Sequence, residues 1–288
     1  FLRRRQYEAV FPSIVAPGLY FLLRSPIMYP QLWRLAKNFL FVRERMNIHE
    51  STIVKHMVDH YFRAPSCAFA PDNDAFLYIP SRYVHQACRR IENLKREAPV
   101  EERGCQVLVI APDTASAVTR PPLDLLRTAL SGVLAARPNF ITVILPSYTE
   151  TTRSLDLWKF LATHYPQRVF LMPSEPKAHL LQTAAFIKQA DIFITGDTGV
   201  MHLAATHPVV VDEDGLHLAP RSKVKIVALF GGTNPGYYGY KERTTIVGWG
   251  RKEQMALRPG FFKESYHLKE PHLFDHVSSQ QIIDALLA

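Results

Sequence analysis

Residues 191–206 read Asp-Ile-Phe-Ile-Thr-Gly-Asp-Thr-Gly-Val-Met-His-Leu-Ala-Ala-Thr, and the rest of the chain is organised around this stretch. Residues 192–195 are apolar and rich in β-branched and aromatic side chains, which predicts a short buried strand. Gly196 interrupts that run, and helical spacing begins near Thr198. The stretch therefore predicts a strand, a tight turn and the start of a helix. In open α/β sheets, ligands bind beyond the carboxyl ends of such strands.

The turn after this strand carries candidate ligand-binding residues. A helix that begins there presents N–H groups to an anion, so a phosphate suits the position. Gly196 and Gly199 are small enough to let the backbone approach a phosphate, and Asp197, Thr198 and His202 can contact what the phosphates carry. Two alternatives need no ligand. Asp197 or Thr198 caps the helix, or His202 packs as an ordinary helix residue.

Length and composition limit the class of protein. The chain has 288 residues, 47% of them hydrophobic, so it can bury the cores of two α/β lobes. Its apolar runs are too short to cross a bilayer, and we expect a cytoplasmic protein. The three cysteines lack CxxC spacing, which argues against a disulfide framework or a zinc site. His56 and His60 share a helix face but lack the partners of a recognisable metal site, so we predict none.

The chain is basic, with a formal net charge of +8, which predicts attraction to polyanions. Phosphorylated substrates, anionic lipids and nucleic acid all satisfy that charge. Nucleic acid is the least supported, because no zinc-finger spacing or RNA-recognition signature is present, and we expect no nucleic-acid partner. The arginines at positions 3–5 and the aromatic-rich residues 19–41 suggest peripheral contact with an anionic membrane. The alternative is that they form the solvated rim of a core.

Strands and helices alternate regularly after residue 104. The predicted strands are 106–111, 140–145, 168–172, 191–195 and 224–230, and the predicted helices are 123–136, 154–164, 177–189 and 198–205. This alternation predicts a parallel, doubly wound sheet. A short strand at 75–79 and a helix at 84–96 precede a charged segment, 98–104, which we interpret as a linker. The predicted domains are therefore 1–103 and 104–288.

Two further loops follow predicted strands at the edge where such a sheet binds its ligand. The loop at 112–120 is rich in hydroxyl groups and ends in an arginine, which suits phosphate oxygens. The loop at 230–236 is rich in glycine. Their candidate residues are Thr114, Ser116, Arg120, Gly232 and Thr233. Either loop alone is also explained as an ordinary turn. Three loops of small or hydroxyl-bearing residues at one edge of one sheet favour a binding site.

Together these segments resemble glycosyltransferase family 9, the heptosyltransferases that build the lipopolysaccharide core. The resemblance is carried by Ala-Asp and Gly-Asp-Thr-Gly-Val-Met-His-Leu-Ala-Ala within residues 190–205, and by Val-Ala-Leu-Phe-Gly-Gly-Thr-Asn-Pro at 227–235. It extends more loosely to residues 7–10, to the loop after Ala111 and to a closing helix at 277–286. It implies an α/β fold of GT-B type, in which two Rossmann-like lobes with parallel sheets face each other across a cleft. Residues 1–103 would form the N-terminal, acceptor-side lobe, incomplete at its start, and 104–288 the C-terminal, donor-binding lobe.

The resemblance also implies a donor site. Its residues would be Asp197, Thr198, Gly199, His202, Thr114, Ser116, Arg120, Gly232 and Thr233. Arg120 stands roughly where the family carries a phosphate-binding lysine. Such enzymes usually need no metal, because helix dipoles and cationic side chains neutralise the departing diphosphate. We therefore expect no metal and no cofactor beyond the nucleotide sugar.

Two departures from the family pattern limit the functional prediction. We expect the catalytic base of the family in a loop upstream of Phe1, so no base is named. Residues 206–223 form an insertion, rich in His, Asp and Pro, at the rim of the expected donor pocket.

The implied function is transfer of a heptose-like sugar, with inversion, from a nucleotide-diphosphate donor to a hydroxyl of a glycan or glycolipid acceptor. One alternative is a non-catalytic nucleotide-sugar-binding protein that lacks the base. A third, less supported hypothesis is a nucleotide-sugar epimerase of the same architecture.

Overall fold

The structure, a computed structural model, divides into two compact units, Phe1–Asn73 and Asp74–Ala288. The residues it describes all lie in the second unit: 76–100, 104–114, 119–147, 151–173, 180–212, 215–218, 223–231, 235, 240, 243–248 and 273–288. The division falls before the boundary predicted between 103 and 104. The basic run at 3–5, the segment at 19–41 and most of the predicted N-terminal lobe lie outside the described residues.

The described strands and helices alternate along the chain. The strands are β1 (Phe76–Pro80), β2 (Gln106–Ala111), β3 (Phe140–Ile144), β4 (Val169–Leu171), β5 (Ile192–Gly196), β6 (His207–Asp212), β7 (Gly215–Leu218), β8 (Lys225–Leu229) and β9 (Thr244–Val247). The helices are α1 (Ser81–Glu97), α2 (Leu123–Ala136), α3 (Thr152–His164), α4 (Leu180–Lys188), α5 (Gly199–Ala205) and α6 (Ser279–Leu287). No helix in these ranges is both long and apolar enough to cross a bilayer.

A six-stranded sheet lies at the centre of the unit. Its spatial order is β4-β3-β2-β5-β8-β9, and all neighbouring strands pair in parallel. Helices α1, α4 and α5 cover one face, and α2, α3 and α6 cover the other. In β2, Val107 and Val109 pack into the first layer, whereas Leu108 and Ile110 pack into the second. Burial on both faces explains why these strands are continuous apolar runs, and it confirms the predicted doubly wound sheet.

Helix α1 belongs to the same core as the central sheet. Its buried residues Ala87, Ile91 and Leu94 lie in one apolar cluster with Phe186 of α4 and Val109 of β2. The charged segment after α1 suggested a linker, but α1 and the sheet share a core. Packing of the apolar stripe of α1 therefore overrides the composition of the segment that follows it.

The insertion at 206–223 forms a hairpin in a second sheet. Strands β6 and β7 pair antiparallel, and β6 pairs in parallel with β1, in the order β1-β6-β7. The sequence analysis placed no strand in this insertion. The partner of β6, Phe76–Pro80, lies far away along the chain, so local sequence could not reveal the pairing.

Candidate functional site

The strand order creates a switch point between β2 and β5. From β2 the chain continues outward to β3 and β4, and it then crosses to β5, β8 and β9 on the other side. The loops that leave neighbouring strands β2 and β5 therefore diverge to opposite faces, which opens a crevice at their carboxyl ends. The strand ends at Ala111, Thr195 and Phe230 lie at one edge of one parallel sheet, as the sequence predicts.

The loops after β2 and β5 contact each other at Gly196. A Cβ atom at this glycine would collide with the carbonyl oxygen of Thr119 and would lie 3.1 Å from Cγ2 of Thr114. Thr114 itself is buried. Gly196 is therefore small because the two loops pack there, whereas the sequence analysis attributed its size to approach of a phosphate. Predicted residues from two loops nevertheless meet at the crevice.

A buried ion pair anchors the base of the loop after β2. Oδ1 of Asp113 lies 3.2 Å from Nε of Arg153, and the Ser154 hydroxyl donates a 2.6 Å hydrogen bond to Oδ2. Arg153 also donates to the carbonyl of Pro121 at the far end of the loop. The pair ties both ends of the loop to the start of α3. The sequence analysis missed it, because Asp113 and Arg153 become neighbours only when α3 packs on the sheet.

Arg120, predicted to bind phosphate, stabilises its own loop. Its Nη2 donates a 3.0 Å hydrogen bond to the carbonyl oxygen of Thr114. This contact brings a positive charge to the carboxyl edge of the sheet. Ser116 of the same loop, and Gly232 and Thr233 of the glycine-rich loop, lie outside the described residues.

Helix α5 begins without a side-chain cap. Thr198 is the N-cap residue, has extended backbone angles and makes no side-chain capping bond. Its carbonyl oxygen accepts the first helical hydrogen bonds, from the N–H groups of Met201 and His202. The alternative in which Thr198 serves only as a side-chain cap is therefore not supported.

Asp197, His202 and Tyr240 form a polar cluster beside this turn. Nδ1 of His202 lies 3.0 Å from the Tyr240 hydroxyl, and Nε2 lies 3.8 Å from Oδ1 of Asp197. The His202 side chain is 37% exposed, whereas that of Asp197 is 10% exposed. Asp197 is thus on the buried side of the cluster, and the His202 imidazole is on its exposed side. Sequence reasoning missed Tyr240, which stands among several tyrosines and glycines in a loop without periodicity.

Burial keeps the Tyr240 hydroxyl neutral. Loss of solvation raises its pKa to about 12; Arg243 acts in the lowering direction and Asp197 in the raising direction. The ring packs against the small apolar cluster of Met201, Ala228 and Phe230. At neutral pH this hydroxyl is therefore an intact donor and acceptor beside His202.

Gly199 is the open position of the turn. It is exposed, and a Cβ built there would meet no heavy atom within 4 Å in the described structure. Among the predicted glycines it differs from Gly196, whose hydrogen faces a backbone carbonyl. The structure thus leaves space at Gly199, and the approach of a ligand to this position stays a prediction.

Two basic side chains, Lys188 and Arg243, bind the opposite end of α5. Lys188 donates to the carbonyl oxygens of Ala204, at 2.8 Å, and Thr206, at 2.6 Å. Arg243 donates to the carbonyl of Ala205, at 2.7 Å, and contacts His207. The last carbonyls of a helix lack intrahelical partners and attract cations. These contacts fix the helix that carries His202.

The lowered pKa of Lys188 predicts that the stability of the protein depends measurably on pH. Burial, with a smaller contribution from Arg243, lowers its pKa from 10.5 to about 7, although the two carbonyl acceptors favour the charged form. Between these values the unfolded chain binds the proton that the folded chain has released. The free energy of unfolding should therefore rise with pH above pH 7, by at most about 1.4 kcal/mol per pH unit.

The comparison that isolates this effect uses Lys188→Met. Urea unfolding from about pH 6 to about pH 9 should show that the parent gains stability relative to Lys188→Met as pH rises. Lys159→Met, which removes an exposed lysine on α3, is the matched control. A constant difference between the parent and Lys188→Met over this range would contradict the prediction.

Comparison with known proteins adds an identification of the segment around β5. Residues 166–264 match glycosyltransferase family 9 (heptosyltransferase). This match covers less than half of the chain and contains β4, β5, α5, β8 and β9. No curated protein matches the chain. The matched segment agrees with the resemblance that the sequence motifs carry.

Two solved structures are similar to the chain in fold. The family 9 glycosyl transferase from Veillonella parvula DSM 2008 aligns with a TM-score of 0.56 and 18% identity over 85% of this chain and 60% of its own. E. coli ADP-heptose lps heptosyltransferase II aligns with a TM-score of 0.52 and 14% identity over 77% of this chain and 54% of its own. The chain thus spans little more than half the length of these proteins. The likeness confirms the predicted α/β, GT-B-type fold class.

Proposed function

We propose that this chain provides the nucleotide-sugar site of a glycosyltransferase, which transfers a heptose-like sugar with inversion to a hydroxyl of a glycan or glycolipid. The observation that carries the proposal is the position of the family 9 match. Residues 166–264 supply one wall of the switch-point crevice, including the Asp197–His202 turn. The family match therefore includes the part of the fold at which sheets of this kind bind ligands, and this supports the proposal.

The proposed chemistry is a displacement at the anomeric carbon. The acceptor hydroxyl attacks from the side opposite the leaving group, the new C–O bond forms, the bond to the nucleoside diphosphate breaks, and the hydroxyl proton passes to a base. Negative charge develops on the departing phosphate, so donors and cations placed there stabilise the transition state. His202, the Thr198 hydroxyl and Arg120 are the described groups at this edge suited to that role. We propose that these groups, without a metal or cofactor, suffice, and we assign no catalytic base among the described residues.

The test is nucleotide-sugar binding by His202→Ala. We expect the parent to bind an ADP- or UDP-linked sugar in calorimetric titration, and the variant to bind about tenfold more weakly, because one hydrogen bond to a charged oxygen is lost. His164→Ala is the matched control, since His164 is an exposed histidine at the end of α3. It should bind as the parent does. Equal affinity of all three proteins would remove His202 from the donor site.

Product analysis separates the possible activities. Nucleoside diphosphate released only when a lipopolysaccharide acceptor is added would support the transferase. Binding of the nucleotide sugar without turnover would indicate the non-catalytic binding protein. Conversion of the sugar without any acceptor would indicate an epimerase.

A further inference from the structure

Hydrogen bonds next to β9 hold the backbone of Tyr240. Its carbonyl oxygen accepts hydrogen bonds from the N–H groups of Arg243 and Thr244, each 2.8 Å long, and from the Thr244 hydroxyl at 2.8 Å. These bonds join Tyr240 to the residues at the start of β9, which pairs with β8 of the central sheet. The backbone of Tyr240 is therefore fixed by the sheet.

The side chain of Tyr240 contacts His202. The two rings meet edge to face with centroids 5.6 Å apart, and the hydroxyl lies 3.0 Å from Nδ1. Asp197 lies on the other side of the imidazole, 3.8 Å from Nε2. A carboxylate favours a hydrogen atom on the nitrogen that faces it, which leaves Nδ1 of a neutral ring as an acceptor. The tyrosine hydroxyl is then the donor to Nδ1.

We propose that Tyr240 is a positioning residue whose hydroxyl donates to Nδ1 of His202 and holds the imidazole as an Nε2–H donor toward an oxygen of the nucleotide sugar. The ligand in this inference rests on the proposed function, whereas the contact between Tyr240 and His202 does not depend on it. The ring nitrogen that carries the proton decides whether His202 can donate to an anionic oxygen. Tyr240 would act through His202 and need not touch the ligand.

The first test reads the tautomer directly. In the protein labelled with nitrogen-15, long-range proton–nitrogen spectra distinguish Nδ1–H from Nε2–H, at a pH where the ring is neutral. We expect the Nε2–H form of His202 to dominate in the parent. In Tyr240→Phe, which keeps the ring and removes only the hydroxyl, the Nδ1 resonance should shift because the hydrogen bond from the hydroxyl is lost. Tyr165→Phe is the matched control, because its hydroxyl donates a 2.9 Å bond to Ser131 elsewhere in the fold. It should leave the His202 signals unchanged.

The second test is a double-mutant cycle in nucleotide-sugar binding. Tyr240→Phe should weaken binding of an ADP- or UDP-linked sugar about three- to tenfold, whereas Tyr165→Phe should not. In the His202→Ala background, Tyr240→Phe should cause no further loss, because the imidazole it positions is gone. An equal loss in both backgrounds would show a role for Tyr240 independent of His202 and overturn the proposal.

The two readouts separate the inference from the function beneath it. If the parent binds no nucleotide sugar, the proposed function fails, while the tautomer measurement still tests the geometry. If the parent binds and Tyr240→Phe changes neither the Nδ1 resonance nor the affinity, the role of Tyr240 is overturned and the proposed function stands. A dominant Nδ1–H form in the parent would also overturn the proposed role of Tyr240.

Discussion

Arg153→Met should destabilise the protein by about 3 kcal/mol, because it leaves the Asp113 carboxylate buried without its cation. The Asp113 side chain is 7% exposed and that of Arg153 is 20% exposed, so water replaces little of the lost interaction. The variant also loses the hydrogen bond from Arg153 to the Pro121 carbonyl. Urea unfolding should show a lower midpoint with an unchanged slope.

The double variant Asp113→Asn/Arg153→Met is the control for this prediction. Asparagine removes the unpaired charge and still accepts the hydrogen bond from Ser154, so part of the lost stability should return. Arg153→Lys keeps a charge but not the guanidinium that joins Asp113 to Pro121, and it should fall between the parent and Arg153→Met. An unfolding midpoint of Arg153→Met equal to that of the parent would show that the ion pair does not hold the loop.

Gly196→Ala and Gly199→Ala should have opposite consequences, although these glycines are only three positions apart in one turn. A methyl group at Gly196 collides with the Thr119 carbonyl, a backbone atom that cannot move aside cheaply, so we expect a loss of about 1–3 kcal/mol. A methyl group at Gly199 meets open space at the start of α5, where alanine is no worse than glycine for the helix. Its stability should equal or slightly exceed that of the parent.

We expect Gly199→Ala, the more stable variant, to bind a nucleotide sugar more weakly than Gly196→Ala does. Under the proposed function, Gly199→Ala weakens binding while remaining folded, because the added methyl group occupies the space that the ligand approaches; Gly199→Val should weaken it further. The folded fraction of Gly196→Ala should bind nearly as the parent does. Thermal unfolding and calorimetric titration of the same samples separate these effects. Unaltered binding by both Gly199 variants would show that no ligand contacts the start of α5.

Apolar periodicity predicted most of the central sheet and its helices. β2 and α2 have the bounds that the sequence predicts, and β5 and β8 differ by a residue at their ends, because burial on both faces makes their sequences continuous apolar runs. β9 was not predicted. It is a short edge strand, Thr-Thr-Ile-Val, whose pairing with β8 outweighs its weak local pattern.

In the candidate site, likewise, the local sequence predicts some features, and only the tertiary structure reveals others. The sequence predicts that Gly199 and His202 lie just after β5, and the structure shows both there with solvent exposure; their contact with a donor stays a prediction. The contacts of Gly196 with Thr119 and of Arg120 with the Thr114 carbonyl were not predicted, since both depend on the tertiary packing of the loop after β2. Tyr240 came close to His202 only through the pairing of β9 with β8.

The sequence by itself therefore determined the alternation of strands and helices, the edge of the sheet that carries the loops, and the residues of the β5 turn. Those features depend on periodicity and on residue type, which are local. Only the tertiary structure decided that α1 shares the core of the sheet, that the 206–223 insertion pairs with β1, and that Asp113 with Arg153 and Tyr240 with His202 form the supports of the site. Each of these contacts joins segments distant along the chain, whose approach is set by burial of apolar surface rather than by local pattern.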